Sequence, residues 1–169
     1  MHVDERAVRP DHPDSNYGLA SRLLLQPAGV VPSRVHRMHG ELDDLDAAAR
    51  RAAGELARVP GNPPHLDLAL VGVGEDGHVA SIFSGSAALQ PGSQPVVSIH
   101  SAPKPPPRRL TMTLPVLANA RRVIVAGFGP VKAQVLHAAL HGESPAAPVA
   151  ELLRRAPSSL VLVDHPHSH

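Results

Sequence analysis

Asp76 and His78 are the residues best placed to move protons. They stand either side of one glycine in the run Gly72-Val73-Gly74-Glu75-Asp76-Gly77-His78-Val79-Ala80-Ser81. A histidine exchanges a proton near neutral pH, and a neighbouring carboxylate can fix its tautomer and strengthen it as a base. Gly72, Gly74 and Gly77 let backbone approach a ligand closely. The same residues also read as a glycine-rich turn with a capping Asp76 and an exposed His78, and the spacing alone leaves both readings open. A dinucleotide loop fits poorly, because Asp-Gly-His interrupts the Gly-x-Gly-x-x-Gly pattern.

Three other segments carry charge in suggestive places. Residues 4–16 read Asp-Glu-Arg-Ala-Val-Arg-Pro-Asp-His-Pro-Asp-Ser-Asn, a dense polar stretch that suits either a site or a solvated loop. Lys104, Arg108 and Arg109 precede Leu110-Thr111-Met112-Thr113, and an arginine entering a strand can grip a phosphate with two hydrogen bonds. Lys132 follows Gly127-Phe128-Gly129-Pro130 at a helix start, where free backbone N–H groups favour anions. Each cation could equally be a surface charge. His165, His167 and His169 alternate with Pro166 and Ser168, as a frayed tail or a weak metal binder would. There is no His-Glu-x-x-His, no carboxylate cluster with metal spacing and no Gly-x-Ser-x-Gly. No metal is expected.

Positioning these residues falls to alternating strands and helices. Ser15 caps a predicted helix over 15–26, in which Leu19, Leu23 and Leu24 share a face. An Ala-rich helix is expected over 44–58. Apolar runs at 66–72, 96–100, 109–114, 122–127 and 159–164 read as strands, with helices at 130–141 and 148–156. That order predicts an α/β fold: three layers, with a mostly parallel, Rossmann-like sheet covered by helices on both faces. Ligands bind beyond the carboxyl ends of strands in such sheets. The turns after Gly72, Leu114 and Gly127, and after a strand ending near Val3, are therefore the places to look. Asp76 and His78 would occupy a strand-to-helix turn.

Composition bounds the rest. The 169 residues suit one domain, taken as residues 1–169. With 16 basic and 15 acidic residues, neither nucleic acid nor a membrane surface is an expected partner. No cysteine is present, which removes disulfides and thiolate chemistry. No secretory signal and no stretch of ~20 apolar residues is seen, so a cytoplasmic location is expected. Aromatic residues are limited to Tyr17, Phe83 and Phe128, so the core must be aliphatic.

Four blocks in order resemble the 6-phosphogluconolactonases, over a span from Asp4 to about Asp164. Asp4-Glu5-Arg6 with Ser15-Asn16-Tyr17 is similar to that family's DER…SNY block. Gly72 to Phe83 is similar to its G-x-G-x-D-G-H-x-A-S-L-F signature. Arg109-Leu-Thr-Met-Thr113 is similar to R-I-T-L-T, and Gly129-Pro-Val-Lys132-Ala matches G-x-x-K-A. The resemblance implies hydrolysis of 6-phosphogluconolactone to 6-phosphogluconate in the pentose phosphate pathway, without a cofactor. It implies that His78 is the general base and that Asp76 positions it. Arg109 and Lys132 would hold the phosphate. Arg6 would line the site, and Asp4, Gly74 and Gly77 would join it as substrate-binding residues. The oxyanion-stabilising group is not assigned, although N–H groups of the glycine turn are candidates.

The family also carries a βαβ portion before the DER block, with a phosphate loop. The chain is expected to lack it, and with it central strands and a covered sheet edge. Three other readings therefore stand: an inactive remnant, a sugar-phosphate sensor, and a glucosamine-6-phosphate deaminase. The deaminases resemble D-E-Y at the first block and carry a Glu after the histidine. Arg6 and Phe83 stand at those places here, favouring the lactonase.

Overall fold

A computed structural model describes residues 1–90, 92 and 94–164. The three C-terminal histidines lie outside the described residues.

The chain builds two three-stranded sheets. One is antiparallel, in the order β1 (Asp4–Arg6), β4 (Arg109–Met112), β3 (Val96–Ile99). The other is parallel, in the order β2 (Ala69–Gly72), β5 (Val123–Gly127), β6 (Ser159–Val163). Helices α1 (Asn16–Ala20), α2 (Leu45–Leu56), α3 (Leu114–Ala118), α4 (Pro130–Leu140) and α5 (Pro148–Arg155) connect them. The class is α/β, as the alternation predicts. Parallel pairing is confined to the second sheet.

Local chemistry explains the element ends. Asp44 caps α2, its carboxylate accepting from Ala47 N–H at 2.9 Å. Leu45, Ala48, Ala49, Ala52, Ala53 and Leu56 then form one buried face, and α2 packs on β3. Pro130 starts α4 behind Gly129, whose φ of 90° suits glycine. β4 stops at Met112, two residues earlier than expected, because Pro115 lies in the first turn of α3. Ser15 caps α1 as expected, but the α-helical part ends at Ala20 and Ser21–Leu25 widens into a π-helical turn. Leu19, Leu23 and Leu24 are exposed there, so no core contact enforces regular α geometry.

One aliphatic core joins the two sheets. Val71, Val123 and Val125 pack with Leu136, Val149 and Leu152, and the cluster continues through Leu110, Met112 and Leu117 to the Ala face of α2. Coverage of the parallel sheet differs from the expected two-sided arrangement. Leu68, Leu70, Leu160 and Leu162 point away from that core and are 41–60% exposed. The inner face of the sheet is covered, and these leucines remain open on the other.

Candidate active site

β2 delivers the chain to the glycine turn. The expected helix after His78 does not form. Val79 instead makes bridges with Val73 and Ile82, folding the segment back on itself, and Ala80 adopts a positive φ of 51°. A residue in that region cannot continue a right-handed helix.

His78 Nδ1 lies 2.5 Å from Asp76 Oδ1. Lys104 Nζ donates to the same oxygen at 3.0 Å. Partial burial opposes ionisation of Asp76, but the bonds from His78 and Lys104 outweigh it and hold the carboxyl down at about 2. An ionised carboxylate only accepts, so Nδ1 carries the hydrogen and the Nε2 lone pair is left as the basic atom. Gly74 makes this possible. A Cβ there would overlap His78 Nδ1 and Cε1 and crowd Asp76 Oδ1. Gly77 needs its freedom for a φ of 78° and packs on Ala147. The N–H groups of Gly74 and Gly77 donate to His78 O and Gly74 O, so these two donors of the turn are already engaged.

The antiparallel sheet supplies the rest. Its register sets Arg6 directly opposite Arg109 and Asp4 opposite Thr111. Asp4 accepts from Ser81 Oγ at 2.7 Å and Asn16 Nδ2 at 3.0 Å. Burial pushes the Asp4 carboxyl up, against the bond from Ser81 and the charges of Arg6 and Arg109. Arg6 Nη1 donates to Asn16 Oδ1 and Asp14 O, while its Nε is buried without a hydrogen-bond partner among the described residues. Arg109 is buried at 4% exposure. It gives Nε to Pro106 O at 2.8 Å and Nη2 to Lys104 O at 2.9 Å and Pro105 O at 3.2 Å, leaving Nη1 toward Ser81. Burial and the nearby Arg6 pull its guanidinium below its ordinary value. Phe83 contacts both sides of the site, with the His78 ring 4.5 Å away and the Arg109 carbon 5.6 Å from its centre.

These side chains share a hollow of about 250 Å³ bordered by Asp4, Arg6, Asn16, Gly72, His78 and Arg109. It lies at the carboxyl end of β2, where a parallel sheet presents its ligands. Larger hollows elsewhere, two of them about 520 Å³, do not contain His78. The 250 Å³ hollow is where His78 meets Asp4 and the two guanidiniums, while Asp76 borders a separate hollow with Gly77 and Ala147. Lys132 sits on the first turn of α4 with its Cβ beside Gly127 at the end of β5. It does not border the hollow that contains His78. Asn16 and Ser81 were not singled out as site residues from sequence. Both lie inside the quoted motifs, yet only their contacts with Asp4 reveal a role.

The sequence matches, over residues 1–162, the family described as glucosamine-6-phosphate isomerases/6-phosphogluconolactonase. A 6-phosphogluconolactonase of Mycobacterium tuberculosis is 40% identical over 149 residues, covering 84% of this chain and 60% of the relative. One from Rattus norvegicus is 40% identical over 148 residues, covering 87% and 58%. The chain thus spans about three fifths of the length of these relatives. The crystal structure of a 6-phosphogluconolactonase from Thermotoga maritima superposes with a TM-score of 0.82 at 26% identity, over 95% of this chain and 70% of the other. With the motifs in order, the fold shared and the family matched over residues 1–162, this chain belongs to the glucosamine-6-phosphate isomerase/6-phosphogluconolactonase family.

Proposed function

We propose that the chain carries the hydrolytic centre of a 6-phosphogluconolactonase, with a phosphorylated sugar lactone as substrate. The observation behind this reading is His78, hydrogen-bonded to Asp76, bordering one hollow with two arginines paired across strands. Like charges set directly opposite each other are unfavourable unless an anion sits between or beside them. Two guanidiniums against the single carboxylate of Asp4 suit a phosphate, and the unsatisfied Arg6 Nε has a donor to give. Arg109 contributes Nη1 alone, its other donors being spent on its own loop. Lys132 would reach the substrate from the neighbouring strand end.

In the reaction His78 Nε2 takes a proton from water, and the hydroxide adds to the lactone carbonyl. The tetrahedral oxyanion collapses, the ring C–O bond breaks, and the imidazolium returns its proton to the departing oxygen. The acid formed ionises and releases one proton. Asp76 keeps the imidazole in the right tautomer and offsets its transient charge. Holding the phosphate, far from the carbonyl, orients the lactone against the base. Arg6 and Phe83 favour this reading over a deaminase, as their places resemble the lactonase pattern.

The test is proton release from freshly prepared 6-phosphogluconolactone. Hydrolysis above the spontaneous rate is expected, and His78→Ala should lower it by ~10² to 10⁴-fold. Phosphate affinity should change far less. A His78→Ala variant with the parent rate would overturn the assignment. Lys132→Ala should chiefly raise KM.

A further inference from the structure

Lys104 sits on a proline-rich loop that has been fastened with unusual care. Ala102 N–H donates to Pro107 O at 2.8 Å, closing the loop on itself. Arg109 threads beneath it and binds the carbonyls of Lys104, Pro105 and Pro106. Three hydrogen bonds from one buried guanidinium fix the backbone from which Lys104 projects. Its ammonium then lands on Asp76 Oδ1, the same oxygen that receives His78. Both side chains of that ion pair are 43% exposed. An exposed pair adds little to stability, so the fastening of the loop calls for another reason.

We infer that Lys104 is a positioning residue that divides the negative charge of Asp76 with His78, and so keeps the imidazole unprotonated to lower pH. The inference rests on the reading of His78 as the base. A carboxylate alone would stabilise the imidazolium and make the histidine a base only at higher pH. A cation on the same oxygen opposes that charge, while leaving Asp76 able to accept from Nδ1–H. Other charged groups near the ring are Arg6, Arg109 and Asp4 across the hollow and Glu75 in the turn. None of them hydrogen-bonds to Asp76 as Lys104 does.

The experiment compares Lys104→Met and Lys104→Arg with the parent chain, by two readouts. One is the pH dependence of lactone hydrolysis between pH 5 and 8.5. The other is the proton-NMR titration of the His78 ring, identified by its loss in His78→Ala. For Lys104→Met, both midpoints should move up by roughly half a pH unit. The rate at pH 6 should fall about threefold in consequence, with KM and the rate at pH 8.5 within twofold of the parent. Lys104→Arg should restore both midpoints. Unmoved or lowered midpoints in Lys104→Met would reduce Lys104 to a surface ion pair and overturn the inference. The ring titration separates the two claims. A shifted titration in a chain that hydrolyses no lactone upholds the charge division while ending the lactonase reading.

Discussion

Single residues divide here into those that react and those that hold. Glu5 belongs to the second kind. It is 2% exposed and accepts from Arg6 N–H, Asn16 N–H, Tyr17 N–H and Ser15 Oγ. This one carboxylate ties β1 to the start of α1 and so sets Asn16 beside Asp4. Glu5→Ala would leave several buried donors without an acceptor and should cost about 2–4 kcal/mol in urea unfolding. Asp76 offers a pH test. Its folded carboxyl is held at about 2, below its value in an unfolded chain. Its contribution to stability is therefore fully present above the ordinary carboxylate range and is lost as pH falls toward 2. The melting-temperature gap between the parent and Asp76→Asn should narrow as pH falls from ~5 toward 2.

Elements decide which residues meet. The glycine turn is legible in sequence as a place for chemistry, but its route is not. Ala80 and the short bridges of Val79 replace a helix, and they place Ser81 under Asp4 instead of on a helix face. The β1–β4 register has the same effect on Arg6 and Arg109, which are separated by more than a hundred residues yet stand opposite each other. Alternating patterns identify strands, whereas partner and direction come from packing that no local pattern encodes. Gly74 shows how tightly the turn is built around its cargo. Gly74→Ala should lower lactone hydrolysis about as far as His78→Ala, ~10²-fold or more, because the new methyl takes the imidazole's place. A far-UV circular-dichroism spectrum unchanged from the parent would show that the fold survives.

Across the whole molecule, burial is one-sided. The inner face of the parallel sheet is sealed by α4 and α5, while Leu68, Leu70, Leu160 and Leu162 present an apolar surface outward. β2 ends its sheet and borders an apolar groove lined by Leu24, Leu66, Leu68, Leu70 and Met112. Contiguous apolar surface of this kind binds hydrophobic probes and promotes association. Anilinonaphthalene sulfonate should therefore fluoresce with the native chain. Leu70→Gln together with Leu162→Gln should weaken that signal while shifting the melting temperature by no more than ~2 °C, as exposed positions contribute little to stability. Among the described residues no helix is long and apolar enough to cross a membrane.

Periodicity and spacing by themselves determined the α/β class and most element positions, and set Asp76 and His78 one glycine apart. Those signals are local: an apolar run, a capping Ser15, Pro130 at a helix start, two reactive residues one glycine apart. The motif order was equally readable, because it is written along the chain. Tertiary structure alone decided that Arg6 faces Arg109, that Arg109 spends most of its donors on the Lys104 loop, and that Lys104 shares the oxygen holding His78. It alone showed one face of the parallel sheet to be open. Each of these depends on contacts between segments distant in sequence, whose geometry is set by how the core packs and which strand registers that packing selects.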